Sequence, residues 1–231
     1  MRFGPPQSGE SVRRPARDNQ RATGQAEPPL GAKTARGQAT QEALVRAART
    51  IFERDGFLDA RIVDITAEAE TASGSFYTYF NSKEEIFQSV VDQLAEEGLH
   101  PPSLEYLEGA ERDFEKTIEK HHRAYLEMYH RNARMMAVIE EVTSISDKFL
   151  HARTQRAQPY IERNVATLRQ LQRAGFVDRK LDPLLATRAL SAMVSRSAYI
   201  TFVLEEEDRK AIGGLAKTLT RLWVNALGLR Q

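Results

Sequence analysis

The sequence predicts an all-α protein, and three observations carry that prediction. From Thr40 onward, apolar residues recur at intervals of three and four, the period of a helix with one buried face. Start and stop signals bracket these runs, among them Ser82-Lys83-Glu84-Glu85, Asp182-Pro183, Gly56 and Gly175. No stretch alternates apolar and polar residues as a half-buried strand does, and no internal repeat is present.

The elements follow in chain order. Residues 1–37 hold ten glycines or prolines and almost no large apolar side chains. Such a segment buries too little surface to offset its ordering entropy, so a disordered basic tail is expected. Its basic spots are Val12 to Arg17, Lys33 and Arg36. Thr40 is the expected N-cap of the first helix, with Glu42 in the first turn. Leu44, Ala47, Ala48, Ile51 and Phe52 share one face of it, and Gly56 ends it. A short helix through Ile62, Ile65 and Ala69 breaks at Glu70 to Ala72, and a third short helix runs from Ser73 to Tyr79. Ser82 and Glu85 form a capping box that opens a longer helix through Ile86, Val90, Val91 and Leu94. Past His100-Pro101-Pro102, helices are expected over about 110–131, 133–145 and 147–174. Asp182 followed by proline starts another, reaching about Glu205. The last helix carries Ile212, Leu215, Leu219, Leu222, Trp223 and Ala226 on one face.

Composition narrows the chemistry. The 231 residues include no cysteine, which excludes disulfides, thiol catalysis and cysteine-bound zinc. No apolar run approaches the ~20 residues of a membrane span, and the N-terminus lacks the apolar core of a secretory signal. A soluble, cytoplasmic chain without membrane contact is therefore expected. The net charge of +1 is unevenly spread: residues 1–37 carry +4, residues 38–99 carry −7 and residues 100–231 carry +4.

Two short helices joined by a tight turn and backed by a longer one make a helix-turn-helix unit, whose second helix enters the DNA major groove. In Ser73 to Tyr79 and the residues after it, Phe76 and Phe80 are four apart and anchor one face inward. Ser73 and Tyr77 lie on another face, flanked by Ser75 and Thr78. Tyrosine, serine and threonine hydroxyls are phosphate and base-edge partners, and Gly74 lets the backbone approach phosphate closely. Tyr79 sits near the inner face with its hydroxyl directed outward, and Lys83 stands at a helix N-terminus, where an anion is favoured. The predicted DNA-binding residues are thus Ser73, Gly74, Ser75, Tyr77, Thr78, Tyr79 and Lys83.

The stretch from Arg46 through Phe57, continued by Asp64 to Phe87, resembles the N-terminal domain of the TetR family of bacterial transcriptional regulators. Its most specific part is Gly74, Ser75, Phe76, Tyr77, Tyr79, Phe80 and Lys83. The resemblance covers about residues 40–98. It implies a homodimer on a palindromic double-stranded operator, with recognition helices about one DNA turn apart (~34 Å) or somewhat more. It also implies a domain organisation of tail (1–37), DNA-binding domain (38–98) and effector-binding and dimerisation domain (99–231), the effector weakening DNA binding. The chain departs from the family at Glu70, where a glycine is usual in the turn, at Ala72, where Ser or Thr caps the recognition helix, and at Val63, where a basic residue is common. Arg61 replaces a usual threonine and is expected to supply the missing phosphate contact.

In this family the last two helices pair with a symmetry mate. The stretch from Leu184 to Leu204 is apolar on nearly all sides, which suits burial against both its own core and a partner. Tyr199, Phe202, Leu219 and Trp223 are the expected interface residues, Trp223 fitting the chain's own core equally well. An effector pocket is expected among the central helices, lined by Phe114, Ile118, His121, Tyr125, Met128, Tyr129, Met136, Tyr160 and Met193. Each of these also fits ordinary core packing. Together they point to an apolar or amphipathic effector, and the six Lys/Arg against two acids over 147–174 favour an acidic one such as an acyl-CoA thioester.

One catalytic pattern competes. Glu119 to His122 and Glu127 to His130 both spell Glu-x-x-His, the motif of di-iron bundles. Both lie on one helix, about 12 Å apart by helical rise, too far to share a binuclear centre within a chain. With no nucleophile elbow, phosphate loop or His-Glu-x-x-His present, neither an enzyme nor a cofactor is expected. A partner-binding module that kept the fold is the third reading, supported by the acidity of residues 38–99.

Overall fold

The computed structural model describes residues 34–96, Gly98 and residues 113–229, and every regular element among them is helical. The first helix, α1, spans Ala35–Asp59. It starts six residues before the expected cap: Thr34 accepts from the Gly37 amide at 3.0 Å, and the Thr40 hydroxyl turns back onto the Arg36 carbonyl. A threonine within a good helix-forming run satisfies its hydroxyl one turn back instead of stopping the helix. At Gly56 the helix is broken, with φ at 75°, before its last few residues. Most of the expected tail and the segment around His100 to Pro102 lie outside the described residues.

Helices α2 (Ile62–Glu68), α3 (Ser73–Tyr79) and α4 (Lys83–Glu96) complete the N-terminal unit. Helix α1 packs on α2 and α4, and α2 on α3. Leu44, Ala48, Ile51 and Phe52 meet Ile65, Phe76, Ile86 and Val90 in one core, all nearly or wholly buried. The capping box at α4 forms with one change: Glu85 donates its amide to the Ser82 hydroxyl, while its carboxylate reaches one residue further back to the Asn81 amide.

Five longer helices follow: α5 (Phe114–Arg131), α6 (Ala133–Ile145), α7 (Asp147–Ala174), α8 (Pro183–Tyr199) and α9 (Ala211–Leu227). Asp113 and Asp182 cap α5 and α8. Gly175 ends α7 at φ 84°, a left-handed conformation that favours glycine. The expected long helix to Glu205 stops being α-helical at Tyr199 and continues as a π-helical turn, Ile200–Leu204. Helix α5 packs chiefly on α9, and α7 on α8 and α6.

The two halves are joined by aromatic rings. Phe149 of α7 meets Phe57 of α1 at 5.6 Å and Phe87 of α4 at 5.2 Å, both edge-on. The arrangement suits the ring quadrupoles and fixes α4 between the N-terminal core and the helices behind it.

Candidate functional site

Helix α3 is held from behind and open in front. Phe76 is fully buried and Phe80 nearly so, their rings 5.8 Å apart. Ser73, Gly74, Tyr77 and Thr78 are exposed, and Ser75 and Tyr79 are half-buried. Tyr77 is 63% exposed, and its ring stands edge-on to Phe76 at 5.4 Å. A Cβ built on Gly74 would meet nothing within 4 Å, so a flat surface can come right up to this turn of backbone. The turn before α3 holds Glu70 at φ 52°, the left-handed conformation where the resembled family places glycine.

Two predicted phosphate partners are differently engaged. Lys83 is half-buried, and its Nζ donates to the carbonyls of Phe57, Leu58 and Ala60 at 2.7, 3.0 and 2.8 Å. It also stands 4.8 Å from the centre of the Phe57 ring. Its three N–H groups close the open end of α1, so a phosphate at Lys83 has to compete with three carbonyls. Arg61 is exposed but grips Asp64 through two hydrogen bonds, at 2.7 and 2.9 Å. Those bonds raise the guanidinium further above its usual value and lower the Asp64 carboxyl. A phosphate at Arg61 therefore has to displace a carboxylate.

Behind α4 lies a cavity of about 330 Å³, formed between α4, α5, α6, α7 and α8. Phe87, Gln88 and Val91 give it an α4 wall, and Tyr125, Tyr129, Met136 and Tyr160 line it from the other helices. Tyr125 and Tyr129 are both pushed well above the usual phenol range, mainly by burial, and stay protonated donors. The other expected lining residues sit elsewhere. Phe114 packs on Phe176, Ile118 and Met128 are buried in the core, and Met193 is half-buried against it. His121 donates from Nδ1 to the Thr117 carbonyl at 2.7 Å. The physical reason is that α5 buries two faces, and the stripe containing 114, 118 and 128 belongs to the packing core instead of the cavity.

Sequence reasoning missed the arginines of this cavity. Arg153, Arg156 and Arg196 all line it, as does Glu140. Arg153 pairs with Glu140 at 2.8 Å, and Arg156 reaches Asp92 of α4 at 2.8 and 3.1 Å. The available signal was Arg153 and Arg156 three apart and followed at 160 by tyrosine, one face of a helix whose charges read as solvated.

The expected interface residues are also relocated. Tyr199 lines the cavity. Phe202 is buried against the His130 ring, and Leu219 and Trp223 are buried within the chain, at 2% exposure each. Trp223 meets His122 edge-on at 5.0 Å. The outward apolar residues of α8, the π-helical turn and α9 are instead Leu185, Ile200, Leu204 and Leu222. The Glu-x-x-His pairs do not converge: Glu119 pairs with Arg123, Glu127 with Arg209, and buried His122 lies 2.9 Å from the Thr220 hydroxyl.

Known proteins resemble this arrangement. Residues 44–90 match the model of the bacterial regulatory proteins, tetR family. The chain is 36% identical over 59 residues to an uncharacterised HTH-type transcriptional regulator, YfiR, of Bacillus subtilis, covering 26% of this chain and 29% of that protein. It is 31% identical over 64 residues to the HTH-type transcriptional repressor NicS of Pseudomonas putida, covering 28% and 30%. The matched stretch thus spans less than a third of the length of either relative. Beyond it, the fold agrees with the transcriptional regulator FadR of Bacillus subtilis, solved in complex with stearoyl-CoA. The TM-score is 0.65 at 15% identity, covering 80% of this chain and 98% of that one. The helix-turn-helix of residues 44–90 thus matches the tetR family of bacterial regulatory proteins, and the helical architecture behind it has the fold of a solved transcriptional regulator.

Proposed function

We propose that the chain is a ligand-responsive, DNA-binding transcriptional regulator, a repressor released from a palindromic operator when a small apolar or amphipathic effector binds. One observation carries this reading: α4 is a shared wall. Ile86 and Val90 lock it into the core that seats α3, while Phe87, Gln88 and Val91 face the cavity. A ligand that moves α4 therefore moves the support of the recognition helix. Effect on DNA requires unequal affinity for the two arrangements, since a ligand that binds both alike shifts nothing.

In this reading residues 38–98 bind DNA and residues 99–231 bind effector and partner. Ser73, Gly74, Ser75, Tyr77, Thr78 and Tyr79 form the DNA face, with Arg61 joining by leaving Asp64. The chain acts as a homodimer in the cytoplasm, through the outward face of α8 and α9 that carries Leu185, Ile200 and Leu222. Among the described residues no helix is long and apolar enough to cross a membrane. Selecting genomic fragments on the purified protein tests the reading: recovery of a palindromic sequence, bound by two chains and released by an apolar or amphipathic ligand, is the expected result. Failure to enrich any sequence overturns it.

A further inference from the structure

The cavity has an uneven charge that nothing in the helix-turn-helix explains. Its inner wall is apolar, built from Phe87, Val91, Tyr125, Met136 and Phe149. Three arginines border it, and they are not alike. Arg153 is neutralised by Glu140, and its Nη1 also donates to the Thr143 hydroxyl at 3.2 Å. Arg156 is neutralised by Asp92. Arg196 has no carboxylate partner among the described residues: its guanidinium lies over the Tyr199 ring, 4.8 Å from the centre. Stacking on an aromatic face orients a guanidinium while leaving its edge donors open. The Tyr129 phenol is within electrostatic range of both Arg153 and Arg196, and burial keeps it protonated. It adds a neutral donor to the same end of the cavity.

We infer that this cavity takes a compact organic monoanion, its carboxylate held by Arg196 and its apolar body lying against the inner aromatic wall. The inference deepens the proposed effector site and rests on it. Two arguments set the class. The first is charge: one uncompensated guanidinium matches one negative charge, whereas the several phosphate charges of a coenzyme A thioester would face only neutralised arginines. The second is space. A cavity of about 330 Å³ is at the small end of ligand sites, which run from ~300 to ~1,000 Å³. Its enclosed part suits a short apolar body. A carboxylate also fits the planar fork of a guanidinium in two parallel hydrogen bonds.

The test is calorimetric titration of the full chain with decanoate, 1-decanol and decanoyl-CoA at matched ionic strength, on wild type and on Arg196→Gln. A charge-assisted pair is worth roughly a factor of ten or more, so decanoate should bind wild type about tenfold more tightly than decanol. Arg196→Gln should erase that difference by weakening decanoate alone. Arg196→Lys, which keeps the charge and loses the fork, should fall between. Arg153→Gln, already neutralised by Glu140, should narrow the acid–alcohol gap less. The decanoate advantage should shrink with added salt, because Arg196 is exposed. Equal binding of acid and alcohol by wild type, equal loss of both in Arg196→Gln, tightest binding of decanoyl-CoA, or no binding of any of the three overturns the inference. Operator release is measured separately. Decanoate binding without DNA release leaves the anion site standing and removes the effector reading. Release by decanol, unaffected by Arg196→Gln, does the reverse.

Discussion

Replacing Lys83 by methionine keeps the aliphatic stem and removes the ammonium. In the folded chain that ammonium makes three hydrogen bonds, to the carbonyls of Phe57, Leu58 and Ala60, and stands over the Phe57 ring. Hydrogen bonds to charged groups contribute about 1.5–3 kcal/mol each where water is excluded. Here the site is only half-buried, and water takes over part of the role at the exposed Leu58. Allowing for that, and for ~0.5–1 kcal/mol from the ring, the loss should be about 2–4 kcal/mol. Urea unfolding followed by circular dichroism reads it directly. The second readout is the salt dependence of operator binding. A lost phosphate contact lowers the log–log slope by about 0.9, whereas a lost structural bond leaves the slope unchanged once the folded fraction is matched. Unchanged stability together with a reduced slope would refute the structural role and restore Lys83 to the DNA face.

Four further outcomes follow from the same geometry. Tyr77→Phe should weaken operator binding by ~0.5–1.5 kcal/mol in a mobility-shift titration and leave the melting curve in place, since its hydroxyl is exposed; Phe76→Ala, at a fully buried ring, should cost ~3–5 kcal/mol of stability instead. Glu70→Gly should raise stability by roughly 1 kcal/mol in urea unfolding, because it relieves a side chain held at φ 52°. His122 is lowered to about 4, chiefly by burial with His121 adding to it, so the unfolded chain takes up its proton first as pH falls. Stability should decline from about pH 6.5 toward pH 4, by on the order of 3 kcal/mol, and His122→Phe should flatten that part of the profile.

Much of this molecule was legible in its sequence, for reasons the residues themselves display. Period and end signals placed α3, α6 and α7 because residues such as Phe76, Phe80 and Gly175 act through neighbours within a few positions along the chain. Glu70 was legible as a departure, and the structure supplies its cost in a backbone angle. What escaped depends on which of two buried faces a side chain takes. The α8 helix is apolar nearly all round, so periodicity alone could not separate Val194, fully buried, from Leu185, 65% exposed. The same ambiguity put Leu219, Leu222 and Trp223 on one face of α9, where Leu219 and Trp223 are buried and Leu222 is exposed. Lys83 escaped because its partners are carbonyls, and a backbone acceptor leaves no trace in the sequence.

The arginines escaped for a related reason, and they carry the site's chemistry. A lysine or arginine on a helix reads as solvated unless its partner is near in sequence, yet Arg156 meets Asp92 from 64 positions away. That pair ties α7 to α4 at the cavity wall, beside Gln88, whose amide also reaches Asp92 at 3.4 Å. An anion entering the cavity as proposed would meet one open guanidinium at Arg196, while Arg156 is held by Asp92 of the helix that supports the DNA-binding core. In the proposed reading the anion rests on Arg196, and a ligand that strained the Arg156–Asp92 pair would loosen the tie between α7 and the C-terminal half of α4. The proposed anion site and the helix that supports the DNA-binding core thus meet at one ion pair, formed by two residues whose relation only the fold displays.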